Sequence, residues 1–243
     1  MAGCFLGVDG CRGGWFAVAL AGPNDWTAQL FSDLAGLSNA FPDAELILID
    51  IPLGLPSCGP RGCDREARRL LGRCYASSIF PVPCRPALEA PDYRLACAAN
   101  RQVLGVGLSR QSYLIGPKIR EADRWRRSAA GSKAPVRESH PELAFRALNG
   151  GRTLGHKKKT ALGKTERLVL LRRQFPKSDA VVEQARREHH RRNVLADDDV
   201  LDALCLAVTA HYFGERLESV PAAPEVDDYG LPMEIVYGPT RPA

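Results

Sequence analysis

Blocks of consecutive apolar residues open the chain. Residues 4–9 and 14–20 are two such blocks, separated by a Gly-Cys-Arg-Gly-Gly turn, a pattern that predicts a β-hairpin. Residues 27–31 suit a third strand. Ser32, ahead of Asp-Leu-x-x-Leu, suits the N-cap of a short helix running to about residue 41. Residues 46–51 form a β-branched and leucine run interrupted only by Asp50, expected for a strand buried on both faces. The order strand, strand, strand, helix, strand lets the first strand lie beside the one ending at Asp50. Asp9 and Asp50 then become neighbours in a mixed sheet.

From residue 52 the pattern changes. Pro and Gly are dense to Pro60, residues 64–71, 92–104 and 109–127 have helical spacing, and residues 77–85 read as a loop. Residues 52–130 thus read as a helical insertion in a single domain. A fifth strand is expected at 136–139, with Pro141 opening the following helix. Further helices are predicted over 164–175, with Leu168, Leu171 and Phe175 on one stripe, over 178–192 and over 197–213. The tail returns at 233–237 as an edge strand.

Composition narrows the class. The 243 residues are 45% hydrophobic and 25% charged, enough to bury a core without staples. The net charge of +5 suits a polyanionic partner without requiring one. No apolar run is long enough for a membrane span, and the N-terminus reads directly into a strand, so neither a membrane nor a secretory signal is expected. The eight cysteines include no CxxC pair. Reduced thiols in a cytoplasmic protein are expected, and Cys58, Cys63, Cys74 and Cys84 are spaced wrongly for the usual zinc knuckles.

Charge inside apolar segments is the chemical signal, because buried carboxylates need a partner, a proton or a metal. Asp9 ends the first strand. Asp50 follows four apolar residues at a strand end, where ligand sites form in open α/β sheets. Asp199 and Asp202 lie three apart in Asp-Asp-Asp-Val-Leu-Asp-Ala-Leu and share a helix face, with Asp198 and Asp202 as the alternative pair. Read singly, the helix acids also suit an N-cap and first turn, and Asp9 a turn. Two carboxylates about 5 Å apart repel by roughly 3 kcal/mol at an effective dielectric near 20, so a cluster of them demands neutralisation. An all-oxygen donor set suits Mg²⁺ or Mn²⁺, which serve phosphodiester cleavage.

Five ordered motifs carry a family resemblance. They are Val8-Asp9-Gly10-Cys11-Arg12-Gly13-Gly14-Trp15, Ile49-Asp50-Ile51-Pro52-Leu53-Gly54-Leu55-Pro56, Ser77-Ser78-Ile79-Phe80-Pro81, Glu138-Ser139-His140-Pro141-Glu142 and Asp198-Asp199-Val200-Leu201-Asp202-Ala203-Leu204. Over residues 5–237 the chain resembles domain-of-unknown-function family 429, regarded as predicted nucleases of the RNase H-like fold. More distantly, Asp199, Asp202, Ala203 and Leu204 are similar to the last helix of RuvC-like Holliday-junction resolvases. Their second acid is a Glu where this chain has Asp50. The resemblance implies an α/β RNase H-like five-stranded mixed sheet and a metal-dependent nuclease acting on DNA or RNA.

In that order of strands, Glu138 falls beside the Asp50 strand as a further metal ligand. His140 becomes a proton shuttle or water-orienting group, or simply a partner of local backbone. Arg12, Ser77, Ser78 and Arg85 are candidate phosphate-binding residues. Lys157 to Lys159, Arg186-Arg187 and Arg191-Arg192 offer positive charge, although such runs are commonly wet surface. Trp15, Tyr75 and Tyr113 suit base stacking or core packing. An actin-like nucleotide-dependent phosphotransferase and a non-catalytic binding module are the alternatives. The former needs a duplicated domain.

Overall fold

The computed structural model describes residues 3–189 and 194–240. The chain forms two compact units. One comprises residues 1–50, 133–218 and 236–243, and the other residues 51–132 and 219–235.

The first unit is built on a five-stranded mixed sheet of order β3-β2-β1-β4-β5. Strand β1 (Cys4–Cys11) and β2 (Gly14–Leu20) form the hairpin, and β3 (Trp26–Phe31) extends it antiparallel. Helix α1 (Leu34–Ala40) follows, capped by Asp33, whose Oδ1 accepts the Gly36 N–H at 2.7 Å. The cap is therefore Asp33 rather than Ser32, which instead donates its hydroxyl to Asp33. Strand β4 (Ala44–Asp50) pairs parallel with β1, and its centre, Ile47, Leu48 and Ile49, is buried. The parallel strand β5 (Val136–Glu138) completes the sheet. This is the α/β, RNase H-like arrangement expected, with helical chain inserted between the fourth and fifth strands.

That inserted chain contributes α2 (Gly62–Tyr75), α3 (Arg85–Leu88), α4 (Tyr93–Leu104) and α5 (Arg110–Arg126) to the second unit. Asp92 and Ser109 cap the last two helices through their side-chain oxygens. The segment read as a loop at 77–85 holds a helical turn at Ala76–Ser78 and leads into α3.

Past the fifth strand the first unit continues with α6 (Pro141–Leu148), α7 (Ala161–Gln174), α8 (Ser178–Glu188) and α9 (Asp197–Phe213). The helix predicted to Arg192 ends at Glu188, and the arginine pair at 191–192 lies outside the described residues. The buried face of α7 is Gly163, Arg167, Leu170 and Leu171, so an arginine and Leu170 occupy the stripe where Leu168 was expected. Every residue of α9 from Val200 to Ala210 is buried, as befits a helix covered on all sides. It lies on β1, β2 and β4, with α6, α7 and α8 against it.

Gly7 allows that close approach. A Cβ there would lie 2.1 Å from the Ala203 carbonyl oxygen and from the Ala207 nitrogen. Strand β6 (Glu218–Val226), which the sequence pattern did not reveal, pairs with β7 (Pro232–Tyr237). Among the described residues no helix is long and apolar enough to cross a membrane. All eight cysteines are free.

Candidate active site: a carboxylate cluster with a lysine

The parallel pairing of β1 and β4 sets Asp9 directly opposite Asp50. Residues opposite one another in a parallel pair share a sheet face, and alternate residues repeat that face. Gly7 touches α9 and lies two positions before Asp9, so the Asp9 and Asp50 face is the one α9 covers. The approach allowed by Gly7 aligns Ala203 with β1, and Asp202 is the residue just before it.

The electrostatics report that convergence. Asp9 is buried and its carboxyl is pushed well above the usual carboxylate range. Burial is the largest cause, followed by repulsion from Asp50 and Asp202, with a smaller contribution from Asp199. Asp50 is pushed up to about 7, again by burial first, then by Asp202 and Glu142. Asp202 is 1% exposed. Its Oδ2 accepts a hydrogen bond from Lys158 Nζ at 2.6 Å, while its buried Oδ1 has no partner among the described residues. No hydrogen bond or ion pair within the described residues reaches the Asp9 or Asp50 carboxylate. Lys158 opposes the repulsion on both, and its own pKa is raised by Asp202, Asp9 and Asp50 against the cost of burial.

The remaining acids occupy other positions. Asp199 reaches back along the first turn of α9, where its Oδ2 accepts the Ala196 N–H at 2.9 Å. Its carboxyl is raised by burial and by Asp198 and Asp202, so it acts as a first-turn cap and as a neighbour of the cluster. Glu138 is in register with Ile49, not with Asp50. Parity therefore turns it to the opposite sheet face from Asp9 and Asp50. The acid from this motif that Asp50 feels is Glu142, in the first turn of α6. His140 is the N-cap of α6, with Nδ1 accepting the Glu142 N–H at 3.2 Å, the backbone role.

The candidate phosphate contacts divide between the units. Arg12 is exposed in the β1–β2 turn. Ser77 and Ser78 belong to the second unit, and Ser78 Oγ donates to the Tyr75 carbonyl at 2.7 Å. Arg85, in the same unit, is not a free guanidinium. It donates to Asp123 Oδ1 at 2.8–3.0 Å and also pairs with Asp227. It lies with Arg127 over the Tyr229 ring. Trp15 and Tyr75 are core residues, and Tyr113 packs edge-on against Tyr93.

Three participants escaped sequence reasoning. Lys158 was one of a charge run, with no local sign that its middle member is half-buried between two exposed lysines. Glu142 and Arg167 form a buried ion pair, with the single nitrogen Nη2 donating to Oε1 at 2.6 Å and Oε2 at 2.8 Å. The signal available for it was an arginine on the apolar stripe of a helix.

Among the described residues no three of His, Cys, Asp and Glu are gathered closely enough to hold a metal ion. The donor chemistry nonetheless suits a hard cation. The converging groups are all carboxylates, and among the described residues no hydrogen bond reaches Asp9, Asp50 or the buried Oδ1 of Asp202. Fold and site together define an α/β protein of RNase H-like strand order, with carboxylates towards the C-terminal ends of two central strands and on the helix that covers them. The family described as Protein of unknown function (DUF429) matches residues 7–226, and the chain belongs to it. No curated protein and no solved structure matches the chain.

Proposed function

We propose that the cluster of Asp9, Asp50 and Asp202 binds Mg²⁺ or Mn²⁺, and that the chain is a metal-dependent nuclease or phosphodiesterase acting on DNA or RNA. The observation that carries this reading is an imbalance of charge. Three buried or half-buried carboxylates face one ammonium, and burial together with mutual repulsion raises the pKa of Asp9 and Asp50. Acids whose charge is disfavoured by burial and by one another gain from a cation that neutralises them. A bound divalent ion supplies polarisation of the phosphate and neutralisation of charge developing in phosphodiester cleavage. Asp9, Asp50 and Asp202 would hold it, and Asp199 flanks them. The exposed Lys157, Lys159 and Arg187 offer positive charge to a polyanion, and free cysteines suit a cytoplasmic location.

The test is cleavage of labelled single- and double-stranded DNA and RNA with Mg²⁺ or Mn²⁺. Wild type is expected to cut and Asp50→Asn to lose about a hundredfold in rate, the upper end of what even an orienting partner of a metal ligand costs. Equal activity in the two proteins, or none in either, refutes the assignment. A second reading, a binding module without catalysis, is favoured by the lysine seated among the acids, since it already neutralises part of the cluster.

A further inference from the structure

Lys158 reaches the acids from the loop ahead of α7, and that loop is fastened on both sides of the lysine. Glu166 Oε1 accepts the Gly155 N–H at 2.8 Å and its Oε2 accepts the His156 N–H at 3.0 Å. The buried Arg167 donates through Nη1 to the His156 carbonyl at 3.2 Å and to the Gly163 carbonyl at 3.1 Å. Thr160 Oγ1 donates to the Lys157 carbonyl at 2.9 Å while capping α7. A Cβ on Gly163 would lie 2.0 Å from that Lys157 oxygen, so the first turn of α7 closes on the loop only with glycine there. An ordinary surface lysine is not held by such a network, because ordering its long side chain costs entropy that a wet ion pair barely repays.

The charges nearby separate into settled and unsettled. Glu142 is neutralised by Arg167, and Asp197 by Arg186 and Lys164. Asp199 holds the Ala196 N–H. Asp9, Asp50 and Asp202 share Lys158. Once ionised, the three carboxylates against one permanent cation leave a deficit of two charges, which one divalent ion fills and two would overshoot. The ammonium spends one of its three N–H donors on Asp202, and the Lys158 side chain is 37% exposed, leaving donors for a phosphate oxygen.

We propose that Lys158 stands in for one of the two cations that such carboxylate sites otherwise take, so that this site holds a single divalent ion with the lysine beside the substrate phosphate. This inference rests on the reading of the cluster as a cation site. In two-ion sites the pair of cations clamps the attacking and leaving oxygens, and here one of those positive charges is built into the chain.

The experiment counts Mn²⁺ bound to the full chain at pH 8, by electron paramagnetic resonance of the free ion and by calorimetry. Wild type is expected to bind one ion and Lys158→Arg one. Lys158→Gln is expected to bind two, the first at least about tenfold more tightly than in wild type, because a neighbouring positive charge is gone. Asp50→Asn is expected to bind none with comparable affinity, which locates the counted ion at the cluster. Two ions in wild type overturn the inference while leaving the cation site standing, and need no variant to fold. One ion in a folded Lys158→Gln overturns it too. No ion in wild type overturns the cation-site reading and this inference with it.

Discussion

Replacing Asp50 with asparagine separates what the cluster costs the fold from what it does for a ligand. In the folded chain Asp50 keeps its proton up to about pH 7, whereas an ordinary aspartate releases it near 3.8. The sign follows directly. Below pH 3.8 both states are protonated and stability is undiminished. Between 3.8 and 7 the unfolded chain gains by ionising and stability falls, and above 7 the deficit is complete. A displacement from 3.8 to about 7 corresponds to at most about 4 kcal/mol. Asp50 retains some exposure, which screens the repulsion, so about 2–3 kcal/mol is the working figure. Asparagine keeps the shape and removes the charge. At pH 8 without divalent ions, Asp50→Asn is expected to unfold at higher urea than wild type by that free energy, and at pH 4 the two nearly coincide. With Mn²⁺ at about a hundred times its Kd, wild type gains about 2.7 kcal/mol and the variant little, so the order narrows or reverses. Urea titrations at the two pH values, with and without Mn²⁺, measure all of this. A variant no more stable than wild type at pH 8 refutes the electrostatic reasoning, and equal stabilisation of both by Mn²⁺ refutes the ligand role.

Two further variants probe the packing that assembles the site. Gly7→Ala forces a methyl into the backbone of α9, so a loss of about 3 kcal/mol or more is expected in chemical denaturation, and a loss below about 1 kcal/mol contradicts the close approach. Arg167→Met strands the Glu142 carboxylate and is expected to cost about 3–5 kcal/mol, with Glu142→Gln in the same chain restoring part of it. Failure of the second change to help means that the pair is not the origin of the loss.

Much of this was legible because its causes are local. The hairpin, the buried fourth strand and the long apolar last helix each announce themselves by an unbroken apolar run or by periodicity. The side-by-side placement of Asp9 and Asp50 followed from the order of those elements. Strand β6 was not legible, since its sequence, Glu-Ser-Val-Pro-Ala-Ala-Pro-Glu-Val, carries two prolines and little apolar alternation. Glu138 was drawn into the site by strand order, which sets its strand beside that of Asp50. The face that a strand residue takes, however, depends on register, and a shift of a single residue reverses it.

The sequence by itself determined that acids would sit at the ends of two central strands and on the first turns of the last helix, because the residue types and the periods of those segments carry that information. Tertiary structure alone decided what neutralises them. Lys158 joins Asp202 across 44 positions of sequence, and Arg167 joins Glu142 across 25. Both pairings depend on how loops and helices pack, which leaves no mark in the local pattern of apolar and polar residues. The close approach of α9 at Gly7 is of the same kind: a glycine in a strand states only that something comes near, and the fold determines that it is the helix carrying Asp202.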